Sequence, residues 1–277
     1  KTGTFPDGRQ LTDYALHDRW LEIHNPATGE TRRITFDYTP AGGAVFTSLV
    51  AGPDGCLYAS TCHPMRFVRY DPRTDQMTDL GGMPGIGNFC AMDVYGTQIV
   101  AASYSDGILH RYDPAQPFNG GVGEQPNPCE LARWPREICR PRACLAHPDG
   151  RHLLMAGYAA YGLTGGGLGI YDTSTGAAQV ITHENLVPYQ STVALQALPD
   201  GNLVGGTCIS APGGGQVQAT EAVLYLFDFP ARKVIFQTVP VPGAGQIKSL
   251  LVVGERVLGL TENGRYFVFD VPTRAVV

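Results

Sequence analysis

Residues 61–69, TCHPMRFVR, bring reactive side chains close together. Cys62 and His63 are adjacent, and Arg66 and Arg69 follow them. A Cys–His pair can serve as nucleophile and base, but that chemistry also needs a third group that orients the base. The sequence supplies no such group, and adjacent loop residues seldom orient for proton transfer. A surface histidine in a structural repeat is therefore the competing interpretation of His63.

The composition indicates a globular chain rich in turns. Of 277 residues, 43% are hydrophobic, while 35 Gly and 21 Pro are spread between short apolar runs, a distribution that favours many strands and turns over disorder. Charged residues make up 16%, the net charge is −5 and no Lys/Arg-rich run occurs. Nucleic acid and anionic membranes are therefore poor candidates as partners. No apolar stretch approaches the roughly 18 residues of a membrane span, so membrane insertion is not expected.

The cysteines and histidines carry no recognisable metal or cofactor signature. The seven cysteines show no CxxC spacing, and the histidines have no close ligand spacing, so we predict no metal site and assign no cofactor. Cys129 and Cys139 flank Trp134 and would form a disulfide in an exported protein or stay thiols otherwise. The cellular compartment therefore stays open.

Two turn motifs recur along the chain. The first is Pro-Asp-Gly, beginning at Pro6, Pro53, Pro148 and Pro199. The second pairs an aromatic residue with Asp, as in YDPRTD, YDPAQP, YDTSTG, FDFPAR and FDVPTR, with HNPATG as a degenerate first copy. Successive copies of the second motif are 42 to 59 residues apart. The shorter spacings match a four-stranded propeller blade.

The runs beside these turns are short and rich in β-forming residues, as in FTSLVAG, RFVRY and VLYLFD, and no long amphipathic helix is evident. The chain resembles the broad β-propeller superfamily whose blades carry Pro-Asp-Gly and YDPxTG-type turns. It lacks the GH and WD pairs of WD40 blades and the double glycines of kelch blades. The resemblance implies an all-β propeller of four-stranded antiparallel blades, a single domain over residues 1–277.

Six blades are recognisable, in a six- or seven-bladed ring. Only KTGTF precedes the first Pro-Asp-Gly turn, and the last blade stops at RAVV. Either Arg274–Val277 and the N-terminus share one blade, or the chain is a fragment whose seventh blade is missing; we slightly favour a fragment. The inner strands are expected to begin near Thr47, Met92, Arg142, Thr192 and Lys248.

We name the strands of a blade a to d from the axis outward. The a–b and c–d turns then share one face, the turn face, and the b–c and d–a connections share the other, the variable face. The aspartates of the recurring turns are expected to form those turns and not to act as catalysts. Long b–c loops are predicted at residues 156–169 and 206–222, and residues 115–141 are predicted to join the third and fourth blades over the same face. These loops would form one wall of a pocket.

This register places several polar side chains near the axis on the variable face. His63, Tyr104 and Tyr158 are the candidate catalytic residues, and the candidate ligand-binding residues are Arg66, Arg142, Tyr161, Lys248 and Glu262. The tyrosines have packing between blades as their alternative role. Arg142 and Lys248 are the strongest candidates, because a cation near a water-filled axis needs an anionic partner. That partner is either a ligand carboxylate or a protein acid, Glu262 or Asp93.

Two functions of different class fit this pattern. The first is a binding module that holds a small molecule, a glycan or a protein on the variable face. The alternative is a carbohydrate-active enzyme, a polysaccharide lyase or hydrolase that acts on acidic sugars. Elimination beside a uronate carboxylate needs a cation, a base and an acid, and the candidates include all three types. The sequence alone does not decide whether the protein is an enzyme.

Overall fold

The protein is almost entirely β-structure. A computed structural model describes residues 3–15, 19–36, 45–83 and 87–277. These residues form twenty-four strands and one 3-10 turn, His183–Asn185. Within the described ranges, no helix is long and apolar enough to cross a membrane.

The strands form six four-stranded antiparallel sheets, each built from consecutive strands. Sheet 1 contains β1 (Gly3–Thr4), β2 (Gln10–Ala15), β3 (Trp20–Asn25) and β4 (Glu30–Thr35). Sheet 2 contains β5 (Val45–Ala51), β6 (Leu57–Cys62), β7 (Arg66–Asp71) and β8 (Gln76–Gly82). Sheet 3 contains β9 (Phe89–Tyr95), β10 (Gln98–Ser103), β11 (Ile108–Tyr112) and β12 (Cys129–Arg133).

The second half of the chain repeats this pattern. Sheet 4 contains β13 (Arg140–Ala146), β14 (His152–Tyr158), β15 (Gly166–Asp172) and β16 (Ala178–Thr182). Sheet 5 contains β17 (Ser191–Ala197), β18 (Leu203–Cys208), β19 (Leu224–Asp228) and β20 (Lys233–Thr238). Sheet 6 contains β21 (Ile247–Val253), β22 (Arg256–Thr261), β23 (Tyr266–Asp270) and β24 (Ala275–Val276).

Two compact units make up the chain. Sheet 1 belongs to the unit Lys1–Gly43, and sheets 2–6 belong to the unit Ala44–Val277. In the second unit the first strands of successive sheets, β5, β9, β13, β17 and β21, contact one another in order. Consecutive four-stranded meanders that meet through their first strands are the blades of a β-propeller. The predicted fold class is confirmed, the described residues form six four-stranded antiparallel sheets, and each predicted inner strand is present.

The two chain ends contribute to different blades. Gly3 pairs with Leu11 in sheet 1, whereas Ala275 pairs with Asp270 in sheet 6. The alternative in which Arg274–Val277 and the N-terminus share one blade is therefore wrong for these residues.

Apolar side chains on both faces of the central strands hold the second unit together. On β14, Leu153 and Met155 pack toward sheet 3, whereas Leu154 and Ala156 pack toward sheet 5. Similar clusters lie between sheets 2 and 3 and between sheets 5 and 6. A strand covered on both sides shows an almost continuous apolar sequence, which is why runs such as HLLMAGY lack strict alternation.

The aspartates of both recurring turns bind backbone amides, as predicted. In the Pro-Asp-Gly turns, Asp54 accepts from the Cys56 N–H and Asp200 from the Asn202 N–H, at 3.2 and 2.9 Å. The aromatic-Asp turns are closed in the same way. In these, the Asp or Asn side chain accepts from a nearby backbone N–H at Asn25, Asp71, Asp113, Asp172, Asp228 and Asp270. These carboxylates shape the turns by bonding to their own backbone.

One long connection differs from the prediction. Residues 115–141 were expected to join two blades across the variable face, but β12 within this range pairs with β11 as the outer strand of sheet 3. Residues 113–128 are therefore an enlarged c–d turn on the turn face, and only residues 134–139 connect sheets 3 and 4. The motif YDPAQP resembles the short turns of other blades, which concealed the insertion. Cys129 and Cys139, like the other five cysteines, are free thiols.

The Pro-Asp-Gly turns require glycine where the backbone turns left-handed. Gly201 has φ of 84°, a region that β-branched residues avoid and asparagine tolerates. Gly201→Val should therefore lower the free energy of unfolding by about 1–3 kcal/mol, measured by urea denaturation. Gly201→Asn is the matched control and should cost clearly less. Equal destabilisation by the two substitutions would show that backbone conformation is not the cause.

Candidate functional site

Each inner strand of sheets 2–6 contains a β-bulge near its start. In sheet 4, Pro141 pairs with Gly157 and Ala143 with Ala156, which leaves Arg142 without a partner on β14. The same register shift leaves one residue unpaired in each of the other four sheets. The unpaired residues are Thr47, Cys90, Val193 and Lys248. A bulge redirects a side chain and is common beside functional sites.

Three of these bulge residues line one cavity on the variable face. We call this cavity the arginine cleft. It has a volume of about 350 Å³ and is lined by Thr47, Asn88, Cys90, Tyr104, Arg140 and Arg142. The residues come from sheets 2, 3 and 4, at the end of the blades where inner strands begin. The cleft is at the small end of the range for ligand pockets.

Arg140, which the sequence analysis overlooked, is central to this cleft. Its guanidinium carbon lies 4.3 Å from the ring centre of Tyr161 and 5.9 Å from that of Tyr104. Its Nη1 atom is buried without a hydrogen-bond partner. Arg140 stands two residues before Arg142, and this RxR spacing at the start of an inner strand was the signal available in the sequence.

Tyr104 and Tyr161 form a hydroxyl pair beside Arg140. Their oxygens lie 2.8 Å apart. The hydrogen bond from Tyr104, assisted by the positive charge of Arg140, lowers the pKa of Tyr161. The same hydrogen bond raises the pKa of Tyr104. Tyr161 is therefore the member of the pair that loses its proton more readily, and the Tyr104 hydroxyl can donate a hydrogen bond to the resulting phenolate.

Arg142 also lacks an acidic partner among the described residues. Its Nη1 donates to the Pro141 carbonyl at 2.8 Å, and its guanidinium carbon lies 5.3 Å from the ring centre of Tyr158. Burial raises the pKa of the neighbouring Cys90 thiol, although Arg142 acts in the opposite direction. The cleft thus contains two guanidinium groups and a thiol that favours its neutral form.

The two acids considered as partners bind backbone amides instead. Asp93 accepts from the Ala146 and Val94 N–H groups, each at 2.8 Å, and burial raises its pKa. Glu262 accepts from the Gly245 and Gln246 N–H groups at 2.8 and 2.9 Å. In the described structure Glu262 forms no ion pair with Lys248, so that alternative is wrong.

The remaining sequence candidates lie outside the lining of the cleft. His63 is exposed in the b–c loop of sheet 2. Arg66 makes a bidentate contact with Asp79 on the neighbouring strand, with 2.6 Å between Nη2 and Oδ2. Lys248 is exposed on β21. Tyr158 is buried between sheets 4 and 5, and this burial raises its pKa to about 12.

Two glycine-rich loops on the variable face pack against each other. They are the b–c loops of sheets 4 and 5, residues 159–165 and 209–223. The Gly162 N–H donates to the Gly213 carbonyl at 2.9 Å, and the Thr164 hydroxyl donates to the Gln216 carbonyl at 2.7 Å. We call these segments the paired loops. They form the predicted wall, and they carry Tyr161 to the edge of the arginine cleft.

The wall continues toward sheet 6. The Ile209 N–H donates to the Gly245 carbonyl at 3.0 Å, and the Gly243 N–H donates to the Glu221 carboxylate at 2.7 Å. Glu262 fixes the same connection through its two backbone contacts. Glu262 therefore has a structural role, because it holds the loop that precedes β21.

Comparisons with known proteins identify the fold but no function. No protein-family model matches the sequence, and no curated protein matches it. Among solved structures 1146 chains match, a breadth expected of a common fold. One is a chain of the "Crystal Structure of Mitotic Checkpoint Complex", 11% identical, with a TM-score of 0.60 over 98% of this chain and 72% of that chain. This similarity shows the β-propeller fold alone.

A substitution at the contact between the paired loops tests whether they pack against each other. A Cβ atom added at Gly215 would lie only 2.0 Å from the Leu163 carbonyl oxygen. Gly215→Ala should therefore separate the loops, at a cost of about 1–3 kcal/mol in unfolding free energy. Hydrogen exchange of the Gly162 amide should accelerate.

Gly82→Ala is the matched control, because the nearest atom to its added Cβ would be Arg66 Nη1 at 3.5 Å. This control should keep the parental exchange rate at Gly162. Unchanged exchange in Gly215→Ala would contradict the proposed loop contact.

Proposed function

We propose that this protein is a binding module that holds a small anionic ligand in the arginine cleft. The observation that carries the proposal is the presence of Arg140 and Arg142 in one cleft without an acidic partner among the described residues. Guanidinium groups present fixed pairs of N–H donors that match a carboxylate or phosphate. A bound anion would supply the countercharge that the neighbouring protein groups do not.

The two acids that the sequence offered as partners support this interpretation. Asp93 and Glu262 are already committed to backbone N–H groups. In contrast, Arg66, Arg69 and Arg73 elsewhere in the second unit are each paired with an aspartate. Arg140 and Arg142 therefore differ from these arginines in a way that a ligand would explain.

The fold is compatible with a binding role. A β-propeller presents variable loops on a rigid frame, which suits recognition of a small molecule, a glycan or a protein. The similar chain noted above belongs to a structure whose title describes a complex. A carboxylate on a small molecule, a glycan or a protein would contact the same two arginines. The cleft volume of about 350 Å³ favours a small group.

A set of small anions tests the proposal directly. Galacturonate, succinate, citrate and phosphate would be titrated against the protein by calorimetry, with galactose as the uncharged counterpart of galacturonate. We expect at least one anion to bind and galactose not to bind at this site. Arg142→Gln and Arg140→Gln should each weaken binding roughly 10- to 150-fold, the equivalent of a lost charge-assisted contact.

Lys248→Gln is the matched control for these variants. It removes the same charge from an equivalent bulge position, but Lys248 does not line the cleft, so binding should be retained. The proposal is wrong if none of the four anions binds. It is equally wrong if binding depends on Lys248 and not on the two arginines.

Elimination on an acidic sugar is a second candidate function, supported by the Tyr104–Tyr161 pair. Tyr161 lies beside Arg140 and has a lowered pKa, so it replaces His63 and Tyr158 as the preferred base. Arg140 or Arg142 would neutralise a uronate carboxylate. Tyr161 would take the proton from the adjacent carbon, a C=C bond would form, and the C–O bond to the leaving sugar would break, with water protonating the released oxygen.

The enzyme candidate predicts a measurable product. Incubation with polygalacturonate should give the ultraviolet absorbance of an unsaturated uronate. Tyr161→Phe should reduce the rate by at least about 100-fold, the usual minimum for loss of a general base, while galacturonate binding is retained. Binding without product formation would leave the binding module as the function and reject the enzyme.

A further inference from the structure

The enlarged turn of sheet 3 distinguishes one blade on the turn face. In the other five sheets the c–d turn spans four or five residues, as in residues 72–75 between β7 and β8. In sheet 3 the corresponding segment is residues 113–128, between Tyr112 and Cys129. A segment of this length is not needed to connect two antiparallel strands.

Internal hydrogen bonds give this turn a defined structure. The Asn127 side chain donates to the carbonyls of Asp113, Gln116 and Pro117 at 3.0–3.1 Å and accepts from the Asp113 N–H at 2.9 Å. The Asn119 side chain accepts from the Asn127 N–H at 2.7 Å. These hydrogen bonds connect the two ends of the turn and fix its conformation.

An aromatic anchor attaches the turn to the core. The Phe118 ring lies 5.4 Å from that of Phe67 and 6.0 Å from that of Tyr112, measured between ring centres. This contact fixes the turn against the interface of sheets 2 and 3. A pre-ordered turn of this kind can present polar groups to a ligand with little loss of entropy on binding.

A cavity of about 360 Å³ lies under this turn, and we call it the amide cleft. The polar side chains that line it include Gln98, Arg111, Asp113, Gln116, Asn119 and Gln125. Asn119 and Asp113 bond within the turn. Within the described structure, the side chains of Arg111 and the three glutamines make no hydrogen bond. Free donors and acceptors thus surround one cavity.

The composition of the amide cleft selects against ions. Arg111 and Asp113 carry opposite charges, and the amide side chains of the lining are neutral. An amide group donates and accepts hydrogen bonds in equal measure. Hydroxyl groups also both donate and accept, so a polyhydroxylated molecule would satisfy these amides. Pro117 and Pro126 add apolar ring surface for C–H groups. We propose that the amide cleft binds a neutral saccharide unit.

A neutral-glycan array followed by saturation-transfer NMR tests this proposal. The full 277-residue chain should bind at least one neutral saccharide of the array. Arg111→Ala and Gln98→Ala should each weaken that binding at least tenfold, because both side chains have no competing partner within the described structure. Thermal melting of both variants would verify that the fold is intact, and the two substitutions provide independent tests.

Arg256→Ala is the control, since Arg256 is exposed on β22 and outside the amide cleft. It should leave saccharide binding unchanged. The proposal is overturned if no neutral saccharide binds, if binding survives both cleft substitutions, or if the cleft captures a peptide and no sugar. Binding of small anions should be unaffected by Arg111→Ala, which separates this site from the arginine cleft.

Discussion

The β-bulge near the start of each inner strand of sheets 2–6 is the constraint on which the candidate site depends. In a regular strand, successive side chains point to opposite faces, and both faces of these blades are needed for packing against neighbours. A residue in a bulge escapes that alternation. Thr47, Cys90 and Arg142 occupy this position in sheets 2, 3 and 4 and line one cleft together. The frame can therefore vary these side chains without disturbing the apolar contacts between blades.

Elsewhere in the second unit, several acidic side chains have a structural role and bind backbone amides. Aspartates on the turn face are used by the backbone, as Asp54 and Asp200 show. On the variable face, Glu262 has a similar structural role, because it holds the connection before β21. Charge alone therefore does not identify a functional residue in this fold. What singles out Arg140 and Arg142 is that two guanidinium groups share one cleft while, among the described residues, neither has an acid partner.

Much of the fold was predictable because its turns follow local rules. Pro-Asp-Gly and aromatic-Asp motifs act through their own backbone, so they are visible in sequence, and the strands between them follow. The site was only partly predictable. Arg142, Tyr104 and Tyr161, which line or border the arginine cleft, were among the sequence candidates. Arg140 was not, because its contact with Tyr161 depends on a loop of the same blade that begins nineteen residues later. The predicted ion pair between Lys248 and Glu262 is absent because the Glu262 carboxylate binds the backbone N–H groups of Gly245 and Gln246 instead. The insertion at residues 113–128 was misplaced because its first residues copy a short turn.

The paired loops also determine how this protein could be redesigned. Gly213 and Gly215 of one loop lie against the backbone of residues 160–163 in the other, with no room for a side chain at Gly215. A new loop grafted into one blade would face a partner shaped for the old one. The two loops would therefore have to be replaced together. A library intended to give the propeller a new ligand would have to diversify both loops together and keep the glycines at their contact.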